Sequence, residues 1–396
     1  MICGFVFMYI LSSLPFLLRI DGVSSNTITL LSCLCNIPYA TRIFASIPIK
    51  FLLGSTKNSI KLIKILLPLV QTIASLLVCI VCFARNRYIV FPAAILSTTI
   101  ITIQDILLEY VRLELLPKST TATSTTVGTI GHKIGQLTGG AIAILIGQHY
   151  SLYFVFIACV LNGIILQYID DRDEYLNNCI RDSSKLSKKI TYRELFRMFL
   201  STNFIIIITF LILYKSTDSF THTLKPNILT IKGFVGKNVF AINSQINSFI
   251  CAILSGVVIC MFSNKINTPK RITKFTYISS ILQIIPAICW YLIARYTLPV
   301  PLTTILISVS SIVFCVSSNS LRMFLSHLSN KNVNKYIFFM SLGSIARVIC
   351  SCMCYICCIT SLDYHIMFIA AIIFNLLAST MLLRFFYSDN TKTTFL

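Results

Sequence analysis

The sequence predicts an all-α polytopic membrane protein with twelve transmembrane helices. Of its 396 residues, 56% are hydrophobic and 12% are charged, whereas soluble domains carry about 25% charged residues. The apolar residues form long, non-alternating runs, and a bilayer-crossing helix needs about 20 such residues. Most charged residues lie in the short connections between the runs. A water-soluble core does not explain this composition.

The apolar runs place the spans in order along the chain. The first run begins almost directly at the N-terminus, without the charged region and cleavage site of a signal peptide. Charged breaks separate the later runs. The predicted spans are 2–20, 28–53, 60–84, 88–111, 124–147, 151–169, 199–222, 238–262, 275–296, 300–325, 333–359 and 363–386.

A polar stretch, Asp170 to Arg197, separates the first six spans from the last six and holds seven basic residues. We therefore predict a six-helix bundle at 1–169, a cytoplasmic basic linker at 170–198 and a second six-helix bundle at 199–396. Two bundles around a central site are typical of secondary transporters. A channel or a membrane enzyme with twelve spans would show the same topology.

The positions of the basic residues predict the orientation. The chain has 33 Lys and Arg against 13 Asp and Glu. Of the basic residues, 22 lie in or next to the even-numbered loops and the C-terminus, 7 lie in or next to the loops of the opposite side, and 4 lie in the middle of spans. A Lys and Arg excess marks the cytoplasmic side, so both termini are predicted to be cytoplasmic. Topology thus explains the basicity, and we predict no nucleic-acid partner.

The sixteen cysteines lie mostly inside apolar runs, which favours small buried residues over a disulfide framework. Cys350, Cys354 and Cys357 share a helical face by their spacing, so metal or redox chemistry is conceivable there. No histidine or carboxylate interleaves them. We predict no metal site and no cofactor.

Two carboxylates in the fourth span are candidates for proton coupling. Asp105 and Glu109 are four residues apart and share a helix face, with Gln104 beside them. Two close carboxylates do not both ionise easily, so one is expected to hold a proton. In the alternative interpretation, Glu109 lies near the membrane surface and pairs with Arg112.

The seventh span carries a second charged group. Lys215 and Asp218 have the i,i+3 spacing of an ion pair within a helix. The pair is either structural or a sensor of protons or anionic cargo, because ionisable groups inside membranes are usually functional. Arg42, Lys133 and Arg347 lack partners nearby in sequence. They are candidates for binding substrate carboxylates or for pairing with the acids.

Small and aromatic residues complete the candidates. Gly131, Gly135 and Gly139 repeat every four residues in the fifth span, which favours close helix packing and also suits halves that slide. The only tryptophan, Trp290, is placed either to stack on a sugar ring or to sit in an interfacial belt.

Motifs of enzymes are not convincing in this sequence. We find no phosphate-binding glycine loop, no histidine pair with metal-ligand spacing and no nucleophile elbow. The five histidines are scattered along the chain. We therefore predict no catalytic residues.

These residues resemble motifs of the AmpG-type muropeptide permeases of the major facilitator superfamily, in order and over nearly the whole chain. The matching segments are Gln104-Asp105 with Glu109, Leu115-Leu116-Pro117, Gly131-His132-Lys133-Ile134-Gly135, Leu213-Tyr214-Lys215-Ser216-Thr217-Asp218-Ser219-Phe220, Ile242-Asn243 and Ser344-Ile345-Ala346-Arg347-Val348.

The resemblance implies the major facilitator fold and proton-coupled import of anhydromuropeptides across a bacterial inner membrane. It also implies alternating access by a monomer whose partners are the bilayer, the solute and protons, and it adds Asn243 to the candidate site. Ser310-Ser311 and Ser244 depart from the family's usual Glu-Asn and Lys. Another cargo, such as acetyl-coenzyme A or a small metabolite, therefore stays an alternative. A membrane-embedded enzyme acting on a lipid or sugar is the alternative of another class.

Overall fold

The structure is a computed structural model, and the residues that it describes are mainly helical. The predicted linker at 170–198 and most of the sixth predicted span lie outside the described residues. The structure describes residues 2–54, 59–84, 86–112, 121–146, 202–234, 245–266, 269–329 and 333–388, with shorter pieces between 150 and 164 and between 236 and 241.

The helices are numbered in chain order. Two of the connections are π-helical turns, at Tyr9–Ser13 and Thr138–Ile142. The helices are α1 (Ile2–Met8), α2 (Leu14–Ile20), α3 (Ser25–Ala40), α4 (Arg42–Gly54), α5 (Ser59–Phe83), α6 (Arg87–Tyr110), α7 (Thr121–Leu137), α8 (Ala143–Leu145), α9 (Thr202–Ile231), α10 (Asn247–Ile266), α11 (Pro269–Leu282), α12 (Ile284–Arg295), α13 (Val300–Leu328), α14 (Val333–Ile359) and α15 (His365–Ser388).

Side chains at helix starts explain where two of these helices begin. Ser24 precedes α3 and its hydroxyl accepts a hydrogen bond from the backbone N–H of Thr27. Asn86 precedes α6 and its side-chain oxygen accepts from the N–H of Tyr88 at 2.9 Å. Such caps satisfy N–H groups that have no partner within the helix.

Within the described residues, eight helical segments are long and apolar enough to cross a membrane. They correspond to predicted spans one to four and nine to twelve, whose helical nature is confirmed. Predicted spans five, seven and eight are also helical, in α7, α9 and α10. The total of twelve spans and the two-bundle division stay predictions. The eight segments are Ile2–Ile20, Ser25–Ile49, Leu62–Phe83, Arg87–Tyr110, Arg271–Arg295, Val300–Leu328, Lys335–Ile359 and His365–Leu383.

The seventh span differs from its prediction. The sequence placed its end at residue 222, but α9 continues to Ile231 through Pro226. A proline removes one helical hydrogen bond, and membrane helices tolerate this loss when neighbouring groups satisfy the freed carbonyl. Lys225, one of the seven basic residues counted on the outer side, lies buried within α9 and not in a loop.

The distribution of polarity is that of a protein in a lipid environment. Large apolar side chains such as Phe44, Ile65 and Ile305 are exposed on the outside of their helices. Many serine, threonine, asparagine and glutamine side chains are buried between helices instead. In a soluble protein such an exposed apolar surface would be a liability, whereas in a bilayer it faces hydrocarbon.

A buried hydroxyl network joins α9, α11 and α13. The Tyr214 hydroxyl donates to the carbonyl oxygen of Ser317 at 2.9 Å and lies 3.0 Å from the Ser279 hydroxyl. Ser279 is 3.1 Å from the Ser320 hydroxyl, which in turn lies 3.0 Å from that of Thr276. Because these groups are buried and satisfy one another, they hold the three helices together.

Helices α1 and α7 approach each other closely. A methyl group at Gly139 would clash with the backbone carbonyl of Phe5, and one at Gly4 would clash with that of His132. Of the other stripe residues, Gly135 is buried and Gly131 is partly buried. Backbones therefore meet at Gly139, as a small-residue interface allows.

The cysteines of α14 do not form a cluster with metal-ligand geometry. Among the described residues, no group of three or more His, Cys, Asp or Glu side chains is placed to hold a metal ion. Cys350, Cys354 and Cys357 are buried. Cys352 instead faces α3, where its sulfur lies 3.3 Å from that of Cys33.

Candidate functional site

A cavity of about 510 Å³ lies between the N-terminal helices α1 to α7 and the C-terminal helices α9 to α14. Helices α1, α3, α4, α6 and α7 line it from the first half of the chain. Helices α9, α10, α12, α13 and α14 line it from the second half. Its volume is within the range of small-molecule sites, about 300–1,000 Å³.

Charged side chains dominate the polar lining of the cavity. Cations outnumber carboxylates by four among the described lining residues. The cations are Arg42, Arg112, Lys133, Lys215, Lys225, Arg322 and Arg347, and the carboxylates are Asp105, Glu109 and Asp218. In an apolar environment the field of such charges is stronger than in water.

Arg42 pairs with Asp105 between α4 and α6. The Arg42 NH1 group donates to Oδ2 of Asp105 at 3.0 Å. Arg42 is 4% exposed, and its Nε and NH2 groups have no hydrogen-bond partner among the described residues. The guanidinium therefore donates to the carboxylate through NH1 alone, and its Nε and NH2 groups have no acceptor among the described residues.

Glu109 adopts the geometry of the alternative interpretation. Its Oε2 atom lies 2.6 Å from NH2 of Arg112, and the Arg112 guanidinium carbon lies 5.0 Å from the ring centre of Tyr336. Asp105 and Glu109 thus each have their own arginine, and nothing in this geometry requires them to share a proton. Gln104 is buried on α6 beside them, outside the cavity lining.

Asp218 is contacted by three basic side chains. Its Oδ2 atom accepts a hydrogen bond from NH2 of Arg347 at 3.3 Å and lies 3.9 Å from Nζ of Lys215. Its Oδ1 atom lies 3.4 Å from Nε2 of His222, one turn later on α9. The ring of Phe7 lies 5.3 Å from the Arg347 guanidinium. Asp218 therefore connects α9 to α14.

Lys133 and Lys225 line the cavity from opposite halves, on α7 and α9. Lys225 is buried there. His132 lies beside Lys133 and is 3.2 Å from the Gln136 side-chain nitrogen. The remaining candidate, Asn243, lies outside the described residues.

Trp290 lies inside the protein. It is 1% exposed, its indole N–H donates to the Ser310 hydroxyl at 2.9 Å, and its ring packs 6.3 Å from that of Phe368. This position argues against an interfacial belt. Trp290 also lines the cavity. Its hydrogen-bond acceptor, Ser310, is one of the residues that differ from the usual Glu-Asn of the muropeptide permeases.

Among the described residues, each ion pair lies within one half. Across the halves, the guanidinium groups of Arg112 and Arg347 contact the rings of Tyr336 and Phe7, and the hydrogen bonds are neutral. The side-chain N–H of Gln245, two residues before α10, donates to the Ser12 hydroxyl at 2.8 Å. Asn36 of α3 donates to the Ser351 hydroxyl of α14 at 3.4 Å. Such contacts cost little to break, because a neutral hydrogen bond contributes about 1 kcal/mol.

The cavity reaches one end of the helix assembly. Its lining includes Cys3 near the start of α1, Arg112 just after α6, and Arg322 and Leu325 near the end of α13. Along α14 the lining residues stop at Arg347, and Ser351 and Cys352, which contact α3, lie beyond them. The α3–α14 contact therefore lies toward the opposite end.

Comparison with solved structures relates this architecture to a membrane transporter. The nucleoside transporter NupG, crystallised as a single-residue mutant, superposes with a TM-score of 0.63 at 11% sequence identity, covering 97% of this chain and 97% of that chain. No family model matches this sequence. No curated protein matches it either. This chain shares the fold of a multi-pass membrane transporter.

The shared fold is the coarser part of the prediction, a transporter-like membrane fold. The twelve spans, the two bundles and the resemblance to muropeptide permeases stay predictions. The structure brings seven of the predicted residues to one cavity. They are Arg42, Asp105, Glu109, Lys133, Lys215, Asp218 and Arg347. Sequence reasoning missed His132, His222, Lys225 and Arg322, which line the same space. The signal that would have found His222 is its position four residues after Asp218 on one helix face.

Proposed function

We propose that this chain is a secondary active transporter that carries a small hydrophilic solute by alternating access. The observation that supports this most is the charged cavity between the two halves, inside helices whose outer surfaces are apolar. A polar site near the membrane midplane at the boundary of two halves is how such transporters bind their cargo. The transporter fold shared with NupG agrees with the proposal.

The finer part of the proposal comes from the sequence. The resemblance to muropeptide permeases favours anhydromuropeptides as cargo and protons as the coupling ion, with a monomer in a bacterial inner membrane and both termini in the cytoplasm. Asp105, Glu109 and Asp218 are the carboxylates available to exchange protons at the cavity. A nucleoside, the cargo named for NupG, and acetyl-coenzyme A are other cargoes to compare.

The lack of an ion pair between the halves, among the described residues, supports the alternating-access step. Gln245 with Ser12 and Asn36 with Ser351 are neutral hydrogen bonds, so the halves need not break an ion pair at these points to separate. Each half keeps its own buried ion pairs throughout. Rigid halves with replaceable contacts between them are what rocking motion requires.

Uptake by purified protein in liposomes tests this proposal. Labelled anhydromuropeptide and labelled uridine are offered with and without an inwardly directed proton gradient. We expect muropeptide to accumulate above the outside concentration only with the gradient. Equilibration of muropeptide without accumulation would refute proton coupling. Uptake of uridine but not of muropeptide would make a nucleoside the cargo in place of the muropeptide. No protein-dependent uptake of either solute would refute the proposal. Release of a chemically altered product would instead favour an enzyme.

A further inference from the structure

The cavity's charges indicate which part of a cargo the protein binds. Seven cations and three carboxylates line it among the described residues. Three of the cations, Arg42, Lys215 and Arg347, share two carboxylates, Asp105 and Asp218, so this group has one positive charge in excess. Burying such an excess is costly unless an anion arrives to balance it. A neutral solute such as a nucleoside would leave the excess as it is.

Arg42 supplies the directional groups for such an anion. It is 4% exposed and lines the cavity, and its bond to Asp105 uses NH1 alone. The Nε and NH2 groups of Arg42 find no hydrogen-bond partner within the described part of the chain. Buried guanidinium N–H groups without acceptors are unusual, and together they match the two oxygens of a carboxylate or phosphate.

The opposite half supplies further positive charge to the same space. Lys215 and Arg347 share Asp218 as their counter-charge, so two cations and the partner His222 face a single carboxylate. Arg42, Lys215 and Arg347 all line the same cavity. An anion at Arg42 would therefore lie in the space that these cations of the second half also line.

We propose that the cavity holds an anion-binding subsite built on Arg42, in which the carboxylate or phosphate of a small organic anion bridges Arg42 of the first half to Lys215 and Arg347 of the second half. This subsite deepens the proposed transport function, since it names the class of cargo. Because the ion pairs of the described residues lie within single halves, the bound anion becomes the charge that links them.

Binding measurements on the purified full chain in lipid nanodiscs test the subsite without transport. Trp290 is the only tryptophan and lines the cavity, so its fluorescence reports occupancy. Two matched pairs of probes differ by an anionic group: N-acetylmuramic acid against N-acetylglucosamine, and UMP against uridine. We expect the anionic member of at least one pair to bind about tenfold or more tighter than its neutral twin. The pair that discriminates tells a carboxylate site from a phosphate site.

Variants locate the binding to Arg42. Arg42→Gln should weaken binding of the anion about tenfold and leave that of the neutral twin unchanged. The double variant Arg42→Gln/Asp105→Asn leaves no unpaired carboxylate at position 105. It should weaken anion binding to the same extent, and it replaces the single variant if that variant folds poorly. Lys232→Met, beyond the end of α9 and outside the cavity lining, is the matched control for loss of one charge.

The outcomes separate this inference from the transport function. Equal binding of neutral and anionic probes, no binding of any probe, or an unchanged anion affinity in both Arg42 variants would overturn the subsite. Anion binding without uptake into liposomes would leave the subsite standing and remove transport. Uptake of a neutral solute with no preference for anions would leave transport standing and remove the subsite.

Discussion

Asp218 and Arg347 are 129 residues apart in sequence, and their side chains form a hydrogen bond of 3.3 Å. Sequence spacing suggested Lys215 as the partner of Asp218, but Lys215 lies farther away, at 3.9 Å. The principal contact of this carboxylate thus connects α9 to α14 rather than one turn of α9 to the next. Several consequences for mutants depend on this order of partners.

Asp218→Asn should abolish transport and lower thermal stability, because it leaves buried cations without their counter-charge. Adding Arg347→Gln to this variant should recover more of the melting temperature than adding Lys215→Met does, since Arg347 makes the shorter contact. Neither double variant should transport. Thermal unfolding in nanodiscs measures the melting temperatures of the two double variants. A larger recovery with Lys215→Met than with Arg347→Gln would contradict the prediction.

Asp105→Asn should remove accumulation driven by a pH gradient while downhill exchange of solute continues, if Asp105 carries the coupling proton. No basic residue near Asp105 in sequence was expected to lose its partner in this variant, but in the structure Arg42 lies 3.0 Å from Asp105 and would lose it. The melting temperature must therefore be compared alongside transport. Asp363→Asn, whose side chain is 72% exposed, is the control. Gradient-driven accumulation at the normal level would exclude Asp105 from coupling.

Gly139→Ala should destabilise the protein, because the added methyl meets the backbone of Phe5, which has no flexible end to move aside. Overpacking of this kind costs about 1–3 kcal/mol. Gly128→Ala in α7, which precedes the π-helical turn that holds Gly139, is the matched control, since nothing lies within 4 Å of its added methyl. The yield of monodisperse protein and its melting temperature measure both. Equal behaviour of the two variants would show that α1 and α7 do not meet at Gly139.

Oxidation should join Cys33 to Cys352, because their sulfurs are 3.3 Å apart and a disulfide needs about 2.05 Å. Copper phenanthroline with oxygen takes two electrons and two protons from the thiols. The bond would fix α3 to α14, so uptake should stop and return after reduction with dithiothreitol.

A protease site inserted between residues 170 and 198 makes this cross-link visible. After cleavage, the two fragments should stay together on a non-reducing gel only in the oxidised protein. Cys33→Ser should give separated fragments and unaffected uptake under the same oxidant. Separation of the fragments in the oxidised parent protein would mean that α3 and α14 do not meet at these cysteines.

The orientation of the chain is tested by reporter fusions at Ser187 and at the C-terminus. Both positions should give cytoplasmic activity, because most of the basic residues lie on their side of the membrane. Periplasmic activity at either fusion would overturn the topology.

The helices could be predicted from the sequence because apolar runs and lipid leave the backbone few choices. Predicted span eleven, 333–359, coincides with α14, and the third and fourth spans differ from α5 and α6 by about one residue at each end. The break between α3 and α4 at Thr41 was not foreseen. No glycine marks that position, and Pro38 lies within α3 before it.

The ion pairs could be predicted only in part, for a physical reason. Spacing along one helix shows Glu109 with Arg112 and Asp218 with His222, since residues three or four apart share a face. It does not show Arg42 with Asp105 or Arg347 with Asp218, which depend on how separate helices rotate against each other. The cost of burying a charge indicated that these residues need partners, without indicating which.

The length of α9 has a consequence for the bilayer. Thirty residues make a helix of about 45 Å, whereas the hydrocarbon core is about 30 Å thick. Tilting alone would require an angle of about 48°, beyond the usual range of membrane helices, which ends near 40°. The end turns of α9 must therefore stand in the headgroup layer, where Lys232 follows the last turn. Lys215 and Asp218 flank the midpoint of this helix, so bilayer thickness sets the depth at which the charged cluster is held.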